Sequence, residues 1–284
     1  MHFTTTDTND LLARIERYYD AVPRSAARTE DFGPLTLFVR DGEGWGYYAR
    51  PTLGWDGPPA TAADVERVRA RQRELGVPES FEWVAENAPG LREAVEAGGL
   101  AVNAHPLMAL DPDAPVLPTD PAVRLIGPDA PELAAALAVP RLAFAEPGTG
   151  VGAAGRAELV TATAELLTDG TLERVADRMR AGLTVTAAAL DADGSALCSG
   201  MHQPVDGVTE VVGVGTLPAA RRRGLALAVT ACLVADARAR GASTVFLSAG
   251  DEAVARVYAR AGFHRVATAL IAEPAEEPAA TEAG

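Results

Sequence analysis

The sequence predicts an α+β protein built on mixed sheet, with a smaller α/β domain ahead of a larger one. Three observations carry this expectation. Short β-rich runs alternate with helical patterns along most of the 284 residues. The Pro/Asp-rich stretch "DPDAPVLPTDPA" has no core-forming pattern and reads as a linker. The order strands, helix, strand, helix, strand occurs on both sides of it, which suggests a diverged internal repeat. The expected layout is an N-terminal domain over 1–111, a linker over 112–122, a second domain over 123–273 and a disordered tail over 274–284.

A helix opens the chain around residues 10–20. "LTLFVR" (35–40) and "GWGYYAR" (44–50) then form strands joined by the turn "DGEG". "TAADVERVRARQRELG" is a helix with Thr61 as its N-cap and Gly76 as its stop. "SFEWVA" reads as a strand, "PGLREAVEAGG" as a short helix and "LAVNAHPLMAL" as a strand that Pro106 marks as edge or bulged. After the linker come the strand "VRLIGP", the helix "PELAAALAVPRLAF" and the glycine-rich loop "EPGTGVGAAGRAE". One or two helices follow to about Gly182, then a hairpin turning at Asp193–Gly194. The strand "VVGVGT", a helix over 225–240, the strand "STVFLSA", the helix "DEAVARVYARAG" and the strand "FHRVATALIAE" complete the series.

Composition excludes several classes of function. A formal net charge of −14 argues against general nucleic-acid affinity. All 25 basic residues are arginine, which reads as coding bias and not as chemistry. The four histidines and two cysteines show no metal-ligand spacing, so no metal is expected, and Cys198 and Cys232 are not expected to pair. His202 reads as a surface residue, with an alternative base at a strand end as its other reading, and His264 as a packing or solvent-facing residue. The first twenty residues are too polar for a signal peptide, and no apolar run approaches the ~20 residues of a membrane span. The expected compartment is the cytoplasm, for a monomer or homodimer.

The chemistry concentrates in "VVGVGTLPAARRRGLALAV". Arg221-x-x-Gly224-x-Ala226 puts backbone N–H groups at a helix start, where they lack intrahelical acceptors. Gly224 admits a ligand to the backbone, Ala226 does not block it, and the helix dipole with three arginines favours an anion. A phosphate or pyrophosphate is the expected guest.

This stretch resembles the GNAT superfamily of N-acetyltransferases, whose signature is R/Q-x-x-G-x-G/A between a strand and a helix. "DEAVARVYARAGF" is similar to that family's second signature, with Tyr258, Gly262 and Phe263 in register. Asp251 stands where Asn is usual and Val254 where Ala is usual. The resemblance covers residues 123–273 and implies acetyl-CoA as cosubstrate. It implies cofactor contacts from Val214, Gly215 and Thr216 on the strand, from Arg221, Arg222, Arg223, Gly224, Leu225 and Ala226 in the loop and helix, and from Asp251. Glu210, eleven residues before Arg221, falls where the family places a general base, and Tyr258 where it places a general acid. The 146–155 loop falls where the family shapes its acceptor site, so Phe144 and Glu146 are candidate acceptor contacts.

The implied activity is N-acetylation of a small-molecule amine. Two alternatives stand beside it: a peptide or protein N-terminus as acceptor, and a non-catalytic acyl-CoA sensor. The first domain has "WDGPPATAADV" where a phosphate loop would stand, so as a GNAT-like unit it would be degenerate. Trp45, Tyr47, Tyr48 and Trp55 are candidates for a lid or pocket wall, and Trp83 for core.

Overall fold

The computed structural model describes residues 5–42, 44, 46–115, 117–118 and 120–275. Trp45 and the tail beyond residue 275 lie outside the described residues. The chain divides into two compact units, 1–105 with 267–284 and 106–266.

In the first unit, helix α1 (Thr5–Ala21) precedes strands β1 (Ala27–Asp31), β2 (Leu35–Arg40) and β3 (Ala49–Pro51). Helix α2 (Ala62–Leu75), strand β4 (Phe81–Val84), helix α3 (Leu91–Ala97) and strand β5 (Leu100–Leu110) follow. Strand β2 pairs antiparallel with β3 across the expected turn, from Leu35↔Pro51 to Leu37↔Ala49, and on its other edge with β1, from Ala27↔Arg40 to Asp31↔Thr36, a strand absent from the sequence expectation. "GWGYYAR" supplies only the short β3, because Gly46 to Tyr48 are irregular. Helix α2 obeys its sequence signals: Thr61 and Asp64 form a capping box, and left-handed Gly76 ends the helix. Leu35, Leu37, Val65, Val68, Phe81, Trp83 and Val95 are core, so Trp83 is structural.

The second unit holds β6 (Val123–Ile126), α4 (Leu133–Ala145), α5 (Arg156–Leu166), α6 (Thr171–Arg180) and β7 (Val185–Leu190). Then come β8 (Ala196–Val205), β9 (Val208–Thr216), α7 (Leu225–Ala239), β10 (Thr244–Ser248), α8 (Glu252–Ala259) and β11 (Phe263–Pro274). Strands β6 to β9 run antiparallel in sequence order, and β9 pairs with β10 in parallel, the crossover being α7. Apolar positions on α4 and α7 close over the two faces of this sheet, with Leu133, Val229, Leu233 and Leu247 in its core.

The unit boundaries differ from those expected, for a structural reason. Residues 107–109 of β5 pair with β10 in the second unit, while residues 269–272 of β11 pair with β4 in the first. Each unit therefore takes its closing strand from the other half of the sequence. The chain changes unit at His105/Pro106, inside β5 and ahead of the Pro/Asp stretch, and again at Val266/Ala267. The last strand runs through Glu273 as expected and takes in Pro274, expected in the tail.

Helix α4 contains Pro140, which cannot donate to the carbonyl of Ala136. The Ser199 hydroxyl of β8 replaces that donor, 2.5 Å from Ala136 O. On the same sheet face, a Cβ at Gly215 would lie 2.8 Å from Pro140 Cα and 2.9 Å from Ala143 Cβ. Gly215 thus lets this helix lie on β9, and α4 is fixed at both contacts.

Candidate active site

Between β9 and α7 the backbone takes two left-handed steps, Arg222 at φ +67 and Gly224 at φ +79. Such a conformation costs a non-glycine residue about 1–2 kcal/mol, so Arg222 is held there by its surroundings. The outcome is a row of open amides. Ala228 N, bonded to Gly224 O at 3.1 Å, is the first helical amide of α7 with an acceptor. Among the described residues, no acceptor bonds the amides from Arg222 to Leu227, and no side chain caps α7. Nothing lies within 4 Å of where a Cβ on Gly224 would stand, so that side is open. Arg222 and Arg223 are exposed and make no ion pair among the described residues. Open amides, the positive end of a fifteen-residue helix and two uncompensated guanidiniums together favour negative charge at this loop.

The strands beside this loop part. Parallel pairing of β9 with β10 covers Val208↔Thr244, Thr209↔Val245 and Glu210↔Phe246, and goes no further. Beyond that fork β10 follows β5, while β9 follows β8 through a bulge at left-handed Gly213. Leu217 N bonds Leu197 O at 2.9 Å, so alternation turns the amides of Val214 and Thr216 away from β8, toward the gap. Glu210 is the last paired residue of the fork. It stands opposite Gln203, on the sheet face that α4 covers. Tyr258 is buried on α8 with its ring edge-on to Phe263 at 6.1 Å. Burial, with a smaller push from the Cys198 thiol, lifts its phenol well above the ordinary value. The Cys198 thiol, opposite Thr216, is itself pushed up to about 12 by burial.

The FR47-like protein family model matches residues 189–271, which hold the fork, the open loop and α8. A GCN5-related N-acetyltransferase from Kribbella flavida is similar at 25% identity and TM-score 0.66, over 94% of this chain and 96% of that one. This is the GNAT fold. A GCN5-related N-acetyltransferase from Sphaerobacter thermophilus matches at 20% identity and TM-score 0.54, over 91% and 84% of the two chains. A tandem GNAT protein from the clavulanic acid biosynthesis pathway matches at 18% identity and TM-score 0.50, over 86% and 79%. No match to the chain is found among curated proteins.

Within the GNAT fold, several residues expected at the ligand have other partners. The Arg221 guanidinium donates to the carbonyls of Ala143 (2.9 Å), Gly150 (3.2 Å) and Glu146, not toward the open amides. The Glu146 carboxylate accepts from Ala153 N (3.2 Å) and Ala154 N (3.4 Å), so it closes its own loop. Asp251 is the N-cap of α8, accepting from Val254 N at 2.7 Å. Gly215 is packed under α4. Phe144 is 62% exposed at the end of α4. Leu225 and Ala226 supply the first amides of α7, and Leu225 also packs into the core.

His202 is fully buried, contrary to the surface position expected of it. It joins Thr209 Oγ1 (2.8 Å) to Asp236 Oδ2 (2.9 Å), pinning β8 and β9 to α7. Burial outweighs the aspartate and lowers its pKa, so the ring is neutral at pH 7. In the first unit, Trp55 is half exposed with its indole donating to Pro58 O, while Tyr47 and Tyr48 make edge contacts and Arg40 lies over Tyr47. Both cysteines are free thiols. Among the described residues, no three His, Cys, Asp or Glu side chains cluster, and no helix is long and apolar enough to cross a membrane.

Proposed function

We propose that this chain transfers an acetyl group from acetyl-CoA to the primary amine of a small molecule by direct attack. The observation that carries the proposal is the open amide row from Arg222 to Leu227 beside a parted strand pair. A pyrophosphate fits the first and an extended thiol-bearing arm fits the second. Glu210 lies six residues from Thr216, roughly 20 Å along a strand, which is long enough to lay out such an arm. The GNAT fold, shared with proteins named as N-acetyltransferases, supports acyl transfer in general.

Bound acetyl-CoA supplies a thioester whose acetyl carbon forms a bond to nitrogen as its bond to sulfur breaks. Glu210 takes the ammonium proton, directly or through water, and frees the nitrogen lone pair. Val214 and Thr216 amides hold the arm, and the loop amides with Arg222 and Arg223 hold the phosphates. Tyr258 is protonated throughout the neutral range because burial disfavours its phenolate. A desolvated phenol gives up its proton reluctantly, so it serves as a hydrogen bond to sulfur whose proton crosses as the thiolate leaves, and the proton shed by the newly acylated nitrogen returns through water to restore the phenol.

The test is thiol release from acetyl-CoA across a panel of primary amines that includes peptides with free N-termini. Tyr258→Phe should lower kcat by ~10²–10⁴-fold with acetyl-CoA affinity unchanged. Glu210→Gln should be most impaired near neutral pH and recover as rising pH deprotonates the amine. Binding without thiol release on any amine would point to a sensor and overturn the proposal.

A further inference from the structure

We infer that Arg221 is a positioning residue that couples occupancy of the open amide row to the conformation of the 146–155 loop. The inference rests on acetyl-CoA as the occupant. One planar guanidinium gathers three carbonyls, those of Ala143, Glu146 and Gly150, from the last turn of α4 and the loop beyond. A lysine cannot reproduce that fork, since its ammonium is a point donor. Two backbone bonds complete the latch, Gly152 N to Pro218 O and Ala219 N to Ala154 O, each 3.0 Å. Gly152 leaves no slack. A Cβ there would lie 1.5 Å from Glu146 Oε1 and 2.9 Å from Pro218 Cβ.

The latch meets the ligand loop at a single peptide link. Arg221 is extended and holds the loop, and Arg222 is left-handed and opens the amide row. An anion drawn onto those amides favours the strained Arg222 conformation, and the latch favours the same conformation from the other side. What stabilises either one stabilises the other, so each raises the occupancy of its partner. Phe144 sits between two latched carbonyls and moves with them. The surface offered to the amine is therefore completed by the cosubstrate, and each raises the affinity for the other.

Hydrogen exchange of the full chain, with and without coenzyme A, tests this. In the wild type, coenzyme A should slow exchange both at 222–228 and at 152–154. Arg221→Lys keeps the charge, so protection at 222–228 should persist while protection at 152–154 is lost. Gly152→Ala breaks the latch from the opposite side and should give the same loss, which keeps the test available if Arg221→Lys misfolds. Wild-type protection confined to 222–228, or protection of both segments in Arg221→Lys, would overturn the coupling and leave the cosubstrate assignment standing. Wild-type protection at neither segment would overturn the cosubstrate assignment, and the coupling with it.

Discussion

Arg221 and Glu146 are charged residues beside the open amide row, and their side chains hold backbone in place. The amides that motif spacing pointed to are the open ones, because spacing reports backbone geometry and says little about where a long side chain turns. Glu82 shows the same limit in the first unit. It reads as a polar position on a strand, but burial raises its pKa to about 7, with Glu273 adding to the rise and the nearby Arg50 opposing it. Arg50 is itself fully buried, paired with Glu16 at 2.6 Å. A carboxyl whose folded pKa lies above its ordinary value of 4.5 contributes stability below about pH 4.5, and loses it as pH rises through about 7. Chemical denaturation of the wild type and Glu82→Gln should therefore diverge between pH 5 and pH 8. The wild type should lose roughly 3 kcal/mol more than the variant as pH rises. Parallel pH profiles would contradict a raised Glu82 pKa.

At the scale of elements, legibility depended on whether the determining signal was local. Helix α2 was readable to its ends because Thr61, Asp64 and Gly76 act within one turn of themselves. Strand β1, "ARTED", has only Ala27 buried and no apolar alternation, and pairing with β2 makes it a strand. The helix through Pro140 was expected, but the donor that makes the proline tolerable comes from β8, sixty-three residues away. Ser199→Ala would leave Ala136 O buried without a partner. Urea denaturation should then show a loss of about 1–3 kcal/mol, whereas Ser199→Thr, which keeps the hydroxyl, should lose less. Equal losses would place the cost in packing and not in the hydrogen bond. The fork and the bulge at Gly213 were illegible for a similar reason: which strands pair, and where pairing stops, is a long-range fact.

For the whole molecule, the repeated element order is real in topology, since β2–β3–α2–β4–α3 runs like β8–β9–α7–β10–α8. Each half also has parallel pairing at the corresponding place, Ala49↔Phe81 and Glu210↔Phe246. The sequence hid the exchange of β5 and β11, because nothing local tells a closing strand which unit to close. One consequence is that deleting residues 1–111 removes the strand beside β10 and exposes Phe246, so that truncation is a poor test of domain function. Cleavage within 112–122 should instead give two fragments that co-elute under native conditions and fail to fold once separated. Fragments that separate freely and stay folded would contradict the exchange. The two helix starts differ as their sequences do: α2 is capped by its own Thr61 and Asp64, while α7 is open. Two polyanion sites per chain are therefore not expected. Titration calorimetry of the full chain with acetyl-CoA tests this most directly. The account predicts one site per chain, abolished by Gly224→Glu, which sets a carboxylate where phosphate would lie. A stoichiometry of two, or undiminished affinity in that variant, would contradict it.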